Sequence, residues 1–132
     1  MVIYLSAFKR GRKMKYIIAG GRDFYSQDIL NKVLSTFSDI DEIISGQANG
    51  ADKCGEVFAL NNKIALTYYP ANWKLYGKSA GYIRNIKMSE YGDALIAFWN
   101  GKSPGTKHMI QTMKRCGKPY FVYNYDGNRI NY

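Results

Sequence analysis

The chain has 132 residues, 46% of them apolar and 15% aromatic, with 19 Lys and Arg against 10 Asp and Glu for a formal charge of +9. That length points to one domain, and that apolar content excludes a disordered chain. The basic excess attracts polyanions in general without defining a site. It is also unevenly spread: residues 1–13 hold four bases and no acid, residues 14–59 four bases and seven acids, and residues 60–132 eleven bases and three acids.

No apolar run approaches the roughly 18 residues of a membrane span, so no membrane partner is expected. The apolar stretch at 2–8 is too short for a secretory signal, and its charges follow it instead of preceding it. Cys54 and Cys116 stand far apart, without a CxxC and with a single His in the chain. That pattern excludes a recognisable zinc site and does not suggest a disulfide scaffold, so no metal or cofactor is expected and a reducing cytoplasm fits.

In chain order, residues 1–13 read as a basic extension, or as translation begun upstream of a single domain spanning 14–132. Strands are predicted at Tyr16–Ala19, Glu42–Ile44, Ala65–Tyr69, Ala94–Trp99 and Pro119–Tyr123, each β-branched or aromatic and bounded by Gly, Pro or Asn. Between them lie helical periods. Ile29, Leu30, Val33, Leu34 and Phe37 form the first stripe, with Ser26 as N-cap. Ala51, Cys54, Gly55, Phe58 and Ala59 form the second. The third helix covers about 78–89. The fourth runs from Pro104 to Cys116 and is closed by Gly117 and Pro119. Strict β-α alternation implies a Rossmann-like three-layer α/β/α domain with a mainly parallel five-stranded sheet. Asp126-Gly127 permits a turn, after which Arg129–Tyr132 returns as a short edge strand or frays.

In an open α/β sheet, ligands gather at the carboxyl ends of the strands. There the sequence reads Gly20-Gly21-Arg22-Asp23, Ser45-Gly46-Gln47-Ala48-Asn49-Gly50-Ala51-Asp52, Pro70-Ala71-Asn72-Trp73 and Asn100-Gly101-Lys102-Ser103-Pro104-Gly105-Thr106. Glycine-rich turns opening onto helix N-termini suit phosphate. One such turn alone is ordinary turn chemistry. Three at equivalent positions, carrying Arg22, Ser103 and Thr106, favour an anion cradle. Neither GxGxxG nor GxxxxGK[ST] occurs, so the dinucleotide fingerprint and the Walker loop are both absent.

These loops, with Tyr76-Gly77-Lys78 and Ala80-Gly81-x-x-Arg84-Asn85-x-x-Met88, resemble the SLOG superfamily, in its YspA/YpsA-like branch, over about 15–122. The resemblance implies strand order 3-2-1-4-5 and a nucleotide-related ligand at the switch point between strands one and four. Two further relatives imply different activities. The Lonely Guy phosphoribohydrolases, which cleave the N-glycosidic bond of nucleoside monophosphates, pair an Arg with a Glu. Arg84 matches the Arg, but Met109 stands where the Glu belongs and can handle no proton. The DNA-processing protein A family, which binds single-stranded DNA, shares the Ser-Gly-x-Ala-x-Gly-x-Asp loop. Lys74, Lys78, Arg84, Lys87, Lys102 and Lys107, with Trp73, Tyr76 and Tyr82, would serve that purpose.

The expected site therefore comprises Gly20, Gly21, Arg22, Gly101, Ser103, Gly105 and Thr106 as phosphate cradle. Ser45, Gly46, Asn49 and Asp52 form the neighbouring wall, Arg84 makes a charge-assisted contact, and Trp73 covers the base. The expected partner is a nucleotide-like small molecule, which is either bound only or hydrolysed by a set that includes Arg84 and Asp52. Nucleic acid is the alternative partner, and self-association through the third helix is compatible with the sequence. Asp23 and Asp52 also suit helix-start positions. His108 reads as surface, Cys54 as core, and Tyr68, Tyr69, Tyr120 and Tyr123, lying within strands, as core.

Overall fold

The computed structural model describes residues 13–132, so all of the basic extension except Lys13 lies outside the described residues. Its strands are β1 (Met14–Gly20), β2 (Ile40–Ser45), β3 (Ala65–Tyr68), β4 (Ala94–Phe98), β5 (Tyr120–Tyr123) and β6 (Arg129–Ile130). The helices are α1 (Gln27–Leu34), α2 (Ala51–Asn61), α3 (Trp73–Tyr76), α4 (Ala80–Tyr91) and α5 (Pro104–Arg115), with a 3-10 turn at Gly77–Ser79. The six strands form one sheet in the order β3-β2-β1-β4-β5-β6. All neighbours are parallel except β5 and β6.

This bears out the Rossmann-like class and the expected strand order, with one correction. The sheet has six strands, not five, because the Asp126-Gly127 turn returns the chain and Ile130 pairs antiparallel with Val122. Gly127, at φ 86°, supplies the left-handed turn residue that the reversal needs.

The period-2 alternation of β1 builds the layers. Tyr16 and Ile18 pack with Leu30, Leu34, Cys54 and Phe58 beneath α1 and α2. Ile17 and Ala19 face the other way and pack with Met88, Met109, Ile110 and Met113 beneath α4 and α5. β4 is buried at every residue, as a central strand covered on both faces must be. Ser26 caps α1 as expected, accepting from the Ile29 amide at 3.2 Å.

Cys54 is core and Cys116 is exposed; both are free thiols. Tyr68 corrects its expectation. It is 47% exposed because it stands at the end of the edge strand β3, which has a neighbouring strand on one side only. Trp73–Tyr76, read as a loop, forms a single helical turn whose N-cap Asn72 accepts from Leu75 N at 3.0 Å. No helix among the described residues is long and apolar enough to cross a membrane.

Candidate functional site

After β1 and β4 the chain departs to opposite faces of the sheet, into α1 and α5, which leaves a crevice above the ends of these two neighbouring strands. A cleft of about 610 Å³ fills it. Gly20 and Gly21 form part of its floor, and their role is close approach. A side chain on Gly20 would strike the Phe98 carbonyl and Ala51 Cβ. The Gly21 amide is already spent, donating to Phe98 O at 3.1 Å, and its carbonyl accepts from Phe24 N and Ala51 N. The β1 and β2 loops are thus tied together. Among the described residues, the Arg22 and Asp23 amides make no backbone bond that would withdraw them from a ligand.

The opposite wall is the N-terminus of α5. Asn100 Oδ1 accepts from the Lys102 and Ser103 amides at 2.8 and 2.9 Å. Trp99 Nε1 donates to the Ser103 carbonyl at 3.1 Å. Ser103 Oγ then caps the helix through a 3.4 Å bond from Thr106 N, with Pro104 in the first turn, where its missing N–H costs nothing. First-turn amides lack intrahelical acceptors and face the positive end of the helix dipole. Gly105 meets no atom within 4 Å of where a Cβ would stand, so this end of the helix is open to a ligand.

The third wall comes from α4. Arg84 Nη1 donates to Gly46 O at 2.5 Å, and Nε donates to Asn85 Oδ1 at 3.1 Å. Because Nε can only donate, Oδ1 must face it, which turns Asn85 Nδ2 toward Gly105 O at 3.3 Å and His108 Nδ1 at 3.2 Å. His108 Nδ1 is therefore an acceptor, and its ring is neutral with the proton on Nε2. Burial, followed by the Arg115 charge, lowers the His108 pKa in agreement. The ring stacks on Tyr82 with centroids 4.2 Å apart, so His108 is half-buried structure and not the free surface residue expected from sequence.

Asp52 is 5% exposed and accepts from Ala48 N at 3.1 Å. Burial pushes its carboxyl up to about 6, although the Ala48 bond and the Arg84 charge pull the other way. Arg84 is lowered by its own burial and raised by Asp52. Gly46 lies between them: a Cβ there would run into the Arg84 guanidinium and come to 3.0 Å from Asp52 Oδ2.

Among the expected residues, Gly20, Gly21, Arg22, Asp52, Trp73 and Arg84 line the cleft, as do Ser103, Gly105 and Thr106. Met109, at the position of the Lonely Guy Glu, is buried and also lines it. Four expected residues do not. Ser45 is fully buried, and its Oγ donates to Glu56 Oε2 at 2.6 Å. Asn49 is exposed and lines no cleft among the described residues. Gly101, at φ 83°, makes the turn before Asn100 can hold the loop, and Gly46 lines an adjoining hollow.

Sequence reasoning missed Asn85, although it lay inside a quoted motif; its proximity to Arg84 was visible there, but the fold alone shows that it also holds the α5 loop. It missed Tyr125 as well. The Tyr125 hydroxyl donates to Asp23 Oδ1, and the ring packs edge-on against Phe24 at 5.2 Å, bracing the β1 loop from beyond β5. Burial, then Asp23, raises the Tyr125 pKa.

Among the described residues there is one ion pair, Lys53–Glu56 at 3.8 Å. Arg22, Lys78, Arg84 and Lys102 therefore stand around the cleft with no carboxylate within ion-pair distance.

Fold and cleft together define a Rossmann-like α/β domain with an open crevice at its switch point. Residues 14–76 match the model of YAcAr, the YspA, cpYpsA-related SLOG family, which bears out the resemblance to the YspA-like branch of the SLOG superfamily. It is also similar to the Gene 61 protein of Mycobacterium phage D29, at 32% identity over 83 residues, covering 58% of this chain and 66% of that protein's length. The match to this family suggests a nucleotide-related ligand-binding or processing role.

Proposed function

We propose that the protein binds a nucleotide, or a nucleotide-derived phosphorylated small molecule, at the carboxyl ends of β1 and β4. The observation that carries this is the meeting of an open helix N-terminus with four cations that form no ion pair among the described residues, all around one cleft. A phosphate there receives amide hydrogen bonds and the α5 dipole from one side and the Arg22 and Arg84 charges from the other. Trp73, 51% exposed at the start of α3, offers a flat apolar face for a base. Calorimetric titration with a nucleotide panel tests the reading. Arg22→Ala and Thr106→Ala each weaken binding by about tenfold or more, the scale of one charge-assisted contact. Unchanged affinity in both variants refutes the cradle.

A second reading, N-glycosidic hydrolysis, is favoured by Asp52. A buried carboxyl that titrates near 6 beside an arginine is suited to proton transfer at neutral pH. It predicts release of free base from nucleoside monophosphates, abolished in Asp52→Ala and Arg84→Ala. No release across the panel leaves binding alone. Single-stranded DNA binding predicts instead an affinity that falls steeply with salt and is insensitive to free mononucleotides.

A further inference from the structure

A second hollow, of about 380 Å³, adjoins the cleft on the β2 and β3 side. The two share Arg22, Ala48, Trp73 and Arg84 as a common wall. The second hollow is otherwise closed by Gly46, Gln47, Lys53 and the Pro70-Ala71 turn, so its lining holds three cations and no carboxylate among the described residues. The Lys53 ammonium does reach Glu56, at 3.8 Å, but that pair is partly solvated and weak.

The Arg84 guanidinium stands at the boundary with its donors divided. Nε is held by Asn85 and Nη1 by Gly46 O, while Nη2 has no protein acceptor among the described residues. Nη2 lies 3.9 Å from where a Cβ on Gly81 would be, and the Trp73 ring comes to 3.4 Å of that same point. The free edge of the guanidinium and the Trp73 ring thus both flank Gly81, and both residues belong to the wall common to the two compartments. Gln47 adds a separate sign. It sits at φ 62°, a left-handed conformation in which glycine carries the least strain, and it belongs to the lining of the hollow.

We infer that the ligand carries two anionic groups, one in the α5 cradle and the other in the hollow of Arg22, Lys53 and Arg84, with Trp73 over the part between them. This rests on the nucleotide reading above and narrows it to nucleotides with a second phosphate. A nucleoside monophosphate satisfies the cradle and leaves the second compartment without an anionic group of the ligand.

The test is calorimetry on the full chain with 5′-AMP, ADP and adenosine 3′,5′-bisphosphate. At least one of the two-phosphate probes binds about tenfold or more tightly than AMP, and which one does so reports whether the phosphates are adjacent or separated. Lys53→Ala, at an exposed position on α2, reduces that ratio to about threefold or less, whereas Thr106→Ala weakens all three probes. Equal affinity for AMP and both other probes overturns the inference and leaves the cradle standing, as does a ratio that survives Lys53→Ala. Failure of all three probes to bind overturns the nucleotide reading and this inference with it.

Discussion

Asp52 and Arg84 carry opposite charges in the same wall without forming an ion pair, and each is perturbed mainly by burial. For Asp52 the folded pKa lies above the unfolded value, so its contribution to stability is full below about pH 4 and is lost as pH rises through about 6. Asp52→Asn, which keeps an acceptor for Ala48 N and removes the charge, should therefore be more stable than the natural chain at pH 8 by about 3 kcal/mol, with no advantage at pH 4. Urea unfolding of both proteins at the two pH values checks this; equal stability at pH 8 contradicts it. Arg84 leads to a different experiment. Gly46→Ala places a methyl against the flexible end of a side chain and not against backbone, so the arginine swings away. Nucleotide affinity falls by about tenfold while stability changes by under about 1 kcal/mol. A Gly46→Ala protein with normal affinity would show that the Arg84 position is immaterial. At this scale the sequence displayed residue types but not partners. Asn85 sat in a visible motif, yet nothing in its spacing shows that one amide holds both Arg84 and the α5 loop.

The elements were more legible. Buried strands such as β4 read as continuous apolar runs, and α1, α2 and α5 show their apolar stripes directly. α3 did not, because a single turn covers too few residues for a 3.6-residue period to show and is set by the Asn72 cap alone. Tyr68 misled for a related reason, since strand composition does not report which strand is an edge. The α5 N-terminus is the element on which the cradle depends. Ser103→Ala removes its cap, which costs about 1 kcal/mol and a few degrees of thermal stability, and frees Thr106 N. Thermal unfolding shows the loss. If the melting temperature does not move, Ser103 is not holding the helix.

For the whole molecule, three of the 19 basic residues lie in residues 1–12, outside the described residues, and four, Arg22, Lys78, Arg84 and Lys102, line the cleft. Removing residues 1–12 should leave mononucleotide affinity unchanged and reduce the salt-dependent attraction to single-stranded DNA. A loss of mononucleotide binding on that deletion would move the site away from the cleft. The central claim concerns where a phosphorylated ligand rests, and amide NMR of the isotopically labelled protein during titration with 5′-AMP reads that position most directly. The largest shifts are predicted at the amides of Arg22, Asp23, Gly105 and Thr106, at the ends of β1 and β4. A saturating titration that shifts other amides and leaves these four unmoved would contradict the account.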